Sequence, residues 1–163
     1  MKKLFFLLAP IILLTCNLGC QNSPTATIIS LPSFNVLLLD SNSILNSKQI
    51  PSGNPIVFIY FNTDCSHCQE ETKTLLQHID SLKNVQFYFL TGMSLDELKH
   101  YNDLYHLNNY KNIVVGKDYE FSFAKVFKPQ TVPYMAIYNS EKHLVRIFKG
   151  ETEMNSIFEA IRI

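Results

Sequence analysis

Cys65 and Cys68 stand three positions apart in the stretch Val57 to Glu71, VFIYFNTDCSHCQEE. Two thiols at this spacing can exchange with a disulfide, contribute half of a zinc site, or pack as structural cysteines. A zinc site needs further ligands, and the sequence offers no second CxxC and no Cys/His pair. Upstream, Pro55 to Phe61 is a β-branched and aromatic run suited to a central strand covered on both faces, and Asn62-Thr63-Asp64 brings turn and cap chemistry. Cys65 therefore falls at or near a helix N-terminus, where unpaired amides and the helix dipole stabilise a thiolate. Cys68, one turn on, lies on the same side within disulfide reach. The expected chemistry is thiol-disulfide exchange, with Cys65 as nucleophile and Cys68 as resolving thiol.

The residues around the pair adjust this chemistry. His67, between the cysteines, can donate to the Cys65 thiolate, stabilise the reduced form and raise the reduction potential; the alternative is an imidazole that points into water. Asp64 pulls the other way, because a carboxylate beside a thiolate disfavours its charge. Glu70 and Glu71 are either a solvated first helical turn or one wet and one functional carboxylate. His78, His100, His106 and His143 have no ligand spacing to one another or to the cysteines, and read as surface or helix-face residues.

Elements that would position the pair can be read on either side. Phe34 to Leu39 reads as a strand, Asp40 to Ser43 as a turn, and Ile44-Leu45 as a weak return. Pro51 to Pro55 is the loop into the central strand. Gln69 to Leu82 carries a helical apolar stripe at Leu75, Leu76, Ile79 and Leu82, and Val85 to Leu90 is a strand. Leu95, Leu98, Tyr101, Leu104 and Tyr105 again follow helical spacing, behind a capping box of Ser94 and Glu97. Asn112 to Val115 reads as a short strand, and Tyr119 to Phe127 as a short helix or irregular turn whose aromatics are core. Tyr134 to Tyr138 and His143 to Phe148 form a hairpin, and Thr152 to Ile161 a closing helix. Parallel strands with crossover helices, then an antiparallel hairpin and a helix, predict an α/β fold with a central mixed sheet flanked by helices.

The CSHC motif after a hydrophobic strand, with Thr131-Val132-Pro133 before a second strand, resembles the thioredoxin superfamily over roughly Phe34 to Ile161. The resemblance implies a thioredoxin fold. It also implies a cis Pro133 facing the CxxC, with Thr131, Val132 and Pro133 presenting backbone to an extended client. CxxCxxE, ending at Glu71, is similar to the motif of the TlpA-like membrane-tethered oxidoreductases. That similarity makes Glu71 the proton acceptor for Cys68 and makes Phe34 to Leu45 an N-terminal hairpin extension. CSHC also resembles the CPHC of DsbA-type oxidants at three of four places, so the direction of electron flow stays open. Asp64 stands where most of these proteins carry tryptophan. A peroxiredoxin is a poorer fit, because Asn62 replaces its threonine. A copper carrier or redox-inert binding module, with Cys65, Cys68 and a distant histidine as ligands, is the alternative from another class.

The chain begins as a leader: Met1-Lys2-Lys3 is a basic n-region and Leu4 to Leu14 an apolar h-region too short to span a bilayer comfortably. Leu18-Gly19-Cys20 resembles the end of a bacterial lipobox. Cys20 is the expected lipidated residue, Cys16 the rival, and an ordinary secretory leader the alternative. The domain plan is then a signal peptide over 1–19, an anchor and tether over 20–33, and the thioredoxin-like domain over 34–163. The domain would face the periplasm from a lipid anchor and meet protein dithiol or disulfide clients and a membrane electron donor. No cofactor or metal is called for. With 14 basic and 14 acidic residues, charge suggests no nucleic-acid partner. Cys65 and Cys68 are then the only cysteines of the folded body, which leaves no disulfide framework.

Overall fold

The computed structural model describes residues 30–162. The leader, Cys16 and Cys20 lie outside the described residues. In chain order the strands are β1 (Asn35–Leu38), β2 (Ile44–Asn46), β3 (Ile56–Tyr60), β4 (Gln86–Thr91), β5 (Ile113–Lys117), β6 (Tyr134–Tyr138) and β7 (Leu144–Lys149). The helices are α1 (Ser66–Gln77), α2 (Leu95–Tyr105), α3 (Ser122–Phe127) and α4 (Met154–Ile161).

All five residues of β3 are buried, because the strand lies inside the sheet and both its faces are covered. Its side chains alternate between two cores. Val57 and Ile59 join Leu75 of α1, Leu98 and Tyr101 of α2, and Ile157 of α4. Ile56, Phe58 and Tyr60 face Phe34, Val36, Ile50 and Phe123 on the other side. The seven strands run in the order β2-β1-β5-β4-β3-β6-β7. β3 pairs parallel with β4 and β4 parallel with β5, whereas β6 and β7 are antiparallel. The predicted N-terminal hairpin is present as β1 and β2, antiparallel to each other, with β1 antiparallel to β5. The mixed α/β sheet expected from the sequence is thus the sheet observed.

Local signals explain most of the helix ends. Ser94 and Glu97 form the expected capping box on α2, with Glu97 N donating to Ser94 Oγ at 3.2 Å and Ser94 N to Glu97 Oε2 at 2.9 Å. The helix predicted to run to Leu82 stops at Gln77 and passes into a 3-10 turn over Ile79–Leu82. His78 is the break: its amide donates to Leu75 O, and its ring Nδ1 lies 2.8 Å from Thr74 O, occupying the carbonyls that would continue the helix. α3 takes its N-terminal support from Asp118, whose buried carboxylate accepts from Phe123 N and Ala124 N, both at 3.0 Å.

The fold begins earlier than Phe34. Leu31 is 1% exposed, its amide donates to Lys142 O at 3.0 Å, and Ser30 bridges His143 at the start of the last hairpin. Residues 30–33, assigned from the sequence to the tether, pack as part of the domain. The fifth strand also extends further than expected, through Gly116 to Lys117, because β1 lies against its end. Gly116 is what permits that approach. A Cβ there would fall inside contact distance of Val36 Cγ1 and 3.2 Å from Leu37 O. Gly116→Ala should therefore cost about 1–3 kcal/mol by overpacking. Urea denaturation checks this, and a loss well under 0.5 kcal/mol would show that the β1 hairpin moves aside freely.

Candidate active site

β3 ends at Tyr60 and delivers the chain into a short turn at the sheet's carboxyl end, where Cys65 N donates to Asn62 O at 3.3 Å. Cys65 is the N-cap of α1, with extended backbone at φ −78° and ψ 114°. Its Sγ accepts from Cys68 N at 3.3 Å, taking the part that a serine or aspartate oxygen usually plays. Sulfur at this position meets an unpaired helix amide directly, which is the electrostatic setting predicted for the nucleophile. Cys65 is half-buried and Cys68 is 2% exposed; both thiols are free. Burial raises the Cys68 thiol above its ordinary range. A hydrogen bond with Cys65 adds to this, the Asn62 backbone amide opposes it, and the charges of Cys65 and Glu71 add smaller increments. The two cysteines are therefore unequal: one reachable from solvent, the other held protonated inside.

Across from them the Val132–Pro133 peptide bond is cis, as expected. The Val132 carbonyl oxygen lies 3.9 Å from Cys65 Sγ, within range of a weak S–H donor. Val132 itself is half-buried against both cores, while Thr131 is exposed beside it. The segment from exposed Thr131 to buried Pro133 therefore lies beside Cys65.

Glu71 and Glu70 resolve into different environments. Glu70 is exposed and pairs with Lys73 at 2.6 Å. Glu71 lies on the inner stripe of α1 with Cys68, Thr72 and Leu75, is 5% exposed, and has no hydrogen-bond partner on either carboxyl oxygen. Burial lifts its pKa to about 7, with the Glu151 charge contributing; the Thr152 backbone amide opposes the shift without completing a hydrogen bond. The carboxyl lines a cleft of about 550 Å³ together with Thr74, His78, Glu151, Thr152, Glu153 and Met154. A carboxyl that is half ionised near neutral pH, one turn from a buried thiol, can take and release that thiol's proton.

His67 comes nearer the alternative reading, an imidazole in water, than a donor to Cys65. Its side chain is 70% exposed, and Nδ1 lies 2.9 Å from Glu151 Oε2 in place of the Cys65 sulfur. Asp64 is exposed and lines a small cleft of about 250 Å³ with Gln69, Glu97, His100 and Leu104. Among the described residues no three His, Cys, Asp or Glu side chains converge on one point that could hold a metal ion. Nor is any helix among them long and apolar enough to cross a membrane.

Two participants escaped the sequence reading. Tyr101 was legible only as one member of an apolar helical stripe. In the fold its hydroxyl reaches Thr72 Oγ1 at 2.8 Å and Cys68 O at 3.3 Å, fixing the second turn of the cysteine helix from α2. Glu151 follows β7 some eighty positions after the motif, and nothing local marks it.

A buried strand leads into a cysteine-capped helix, with a cis proline facing it across a mixed sheet. No protein-family model and no curated protein matches the chain. Solved structures do. The chain is similar to Mycobacterium tuberculosis dsbF, with TM-score 0.65 and 18% identity over 79% of this chain and 92% of that one. It is similar to a secreted M. tuberculosis disulfide oxidoreductase homologous to E. coli DsbE, with TM-score 0.65 and 16% identity over 79% and 94%. A third is the exposed lipoprotein thioredoxin Etrx1 of Streptococcus pneumoniae, with TM-score 0.61 and 17% identity over 80% and 98%. The chain has the thioredoxin fold.

The Glu71 shift makes a stability prediction. A carboxyl whose pKa is about 7 in the fold and near 4.5 when unfolded contributes stability that is fully present below pH 4.5 and lost as pH rises through 7. Glu71→Gln should abolish that loss, so at pH 8 the reduced variant should exceed the reduced wild type by about 3 kcal/mol relative to pH 4.5. Urea denaturation at the two pH values tests this; parallel pH dependence in both proteins would place the carboxyl in water.

Proposed function

We propose that the protein is a thiol-disulfide oxidoreductase acting on protein thiols and disulfides, with Cys65 as nucleophile and Cys68 as resolving thiol. The observation that carries the reading is the N-cap position of a half-buried Cys65 over a buried Cys68, with the buried, unpartnered Glu71 one turn further on. The folds it shares with a disulfide oxidoreductase and a lipoprotein thioredoxin support it.

In the reductive direction the Cys65 thiolate attacks one sulfur of a client disulfide. A Cys65–client bond forms, the client S–S bond breaks, and the departing client sulfur leaves as a thiolate. Cys68 then loses its proton to ionised Glu71 and attacks Cys65 Sγ, closing the intramolecular disulfide and releasing the second client thiolate. Two electrons pass from the cysteine pair to the client, and solvent protons neutralise the two client thiolates, matching the two protons given up by Cys65 and Cys68. The cleft beside Glu71 is the path by which that proton returns to water. Thr131, Val132 and Pro133 hold the client backbone alongside Cys65 as an added extended segment.

The balance of contacts favours the reducing side. Strong thiol oxidants stabilise their nucleophile's thiolate with several donors. Here Cys65 Sγ receives one backbone N–H at 3.3 Å, and His67 is engaged elsewhere. A reductase must itself be reduced, so a membrane electron donor is the implied partner. Likeness to secreted and lipoprotein relatives, with the leader and Cys20, supports a lipid-anchored domain on the periplasmic side of a bacterial membrane.

Cys68→Ala removes the resolving step, so clients should accumulate as mixed disulfides on Cys65 in cells. Non-reducing gels of the trapped protein should show higher-mass bands that collapse with reductant and vanish when Cys65 is also replaced by Ala. Bands that persist without Cys65, or none with it, would count against the reading.

A further inference from the structure

Gly150, at φ +87°, turns the chain out of β7, and its amide donates to Pro133 O at 2.8 Å. Thr152 Oγ1 donates back to Gly150 O at 3.1 Å. The loop between β7 and α4 is thereby fastened to the cis-proline segment, on the same frame as the nucleophile. Glu151 sits at its tip, 2.9 Å from His67 Nδ1, and beside the cleft that leads to Glu71. Nothing in α1 itself holds His67: the residue lies in the exposed first turn, and Glu151 is its hydrogen-bond partner.

We propose that Glu151 is a positioning residue for the Cys65/Cys68 couple, holding the His67 imidazole away from the Cys65 sulfur and keeping the couple more reducing than a free histidine in CSHC would allow. The inference rests on the oxidoreductase reading above. The physical argument is direct. An imidazole N–H donated to the thiolate stabilises the reduced form and raises the potential. A ring tied through Nδ1 to a carboxylate on another element is turned toward that element. Both side chains are more than half exposed, so the tie is of the order of a surface ion pair, roughly 0.2–1 kcal/mol. That is small for folding, and it is enough to shift a redox equilibrium measurably.

The test is a double-mutant cycle on the purified full chain, read as the equilibrium of Cys65/Cys68 against glutathione. Glu151→Ala should displace the equilibrium toward the dithiol by about two- to five-fold, which is a rise of roughly 10–20 mV at about 30 mV per tenfold. The same substitution in a His67→Ala background should leave the equilibrium where it is. In a Glu71→Gln background the shift should persist, because the effect runs through His67. Glu151→Gln, which keeps a hydrogen-bond acceptor but no charge, should fall between wild type and Glu151→Ala.

An unmoved Glu151→Ala equilibrium overturns the proposal while leaving the oxidoreductase reading intact. So does a shift of equal size without His67, which would make Glu151 a simple charge acting on Glu71. A wild-type chain that forms no reversible disulfide overturns both.

Discussion

The inner face of α1 is the constraint on which the site depends. Cys68, Glu71, Thr72 and Leu75 share one buried stripe, so the surface that fastens the helix to the sheet also carries the buried thiol and the unpartnered carboxyl. Leu75 is an ordinary core residue on that stripe. Glu71 is not: a buried carboxyl without a partner is costly, and the fold meets that cost by keeping it protonated up to neutral pH. The packing that forbids a stable charge is thus the source of a base with a useful proton affinity. Were α1 to lift by even part of a turn, water would reach Glu71, its pKa would fall, and Cys68 would lose both its burial and its acceptor.

Tertiary support for that face comes from three directions. β3, buried on both sides, aims the turn that carries Cys65. Tyr101 ties Thr72 and the Cys68 carbonyl to α2 from below. Gly150 ties the β7–α4 loop to Pro133 from above, which brings Glu151 over His67. The half-buried Cys65 is therefore framed by packed elements, with His67, Glu151 and Thr131 as the exposed side chains around it.

Most of the fold was legible because its signals are local. The apolar run of β3, the Ser94 capping box and the position of Cys65 at a helix start each depend on residues within one turn of one another, and each stands where the sequence placed it. The tether reads too far into the domain because Gln21 to Leu31 is short, polar at its start and proline-bearing; only the distant Lys142 and His143 show that its end packs. The early end of α1 depends on how the His78 ring folds back on Thr74, which spacing does not encode. In the site, the sequence leaves a functional Glu71 beside a wet Glu70 level with two solvated carboxylates, since both lie in the first two turns, and burial separates them. The sequence leaves His67 between Cys65 and water because Glu151, its observed partner, is remote in the chain and unmarked by any pattern.

The account stands most directly on the redox couple itself. Equilibrating the wild-type chain with glutathione buffers at pH 7, and counting the thiols of Cys65 and Cys68 at each ratio, should reveal one reversible two-electron transition. With one backbone donor on the sulfur and His67 turned aside, its potential should lie below about −200 mV, nearer thioredoxin than the strong oxidants. A potential near −120 mV would contradict the reducing assignment, and the lack of any reversible disulfide would contradict the oxidoreductase altogether.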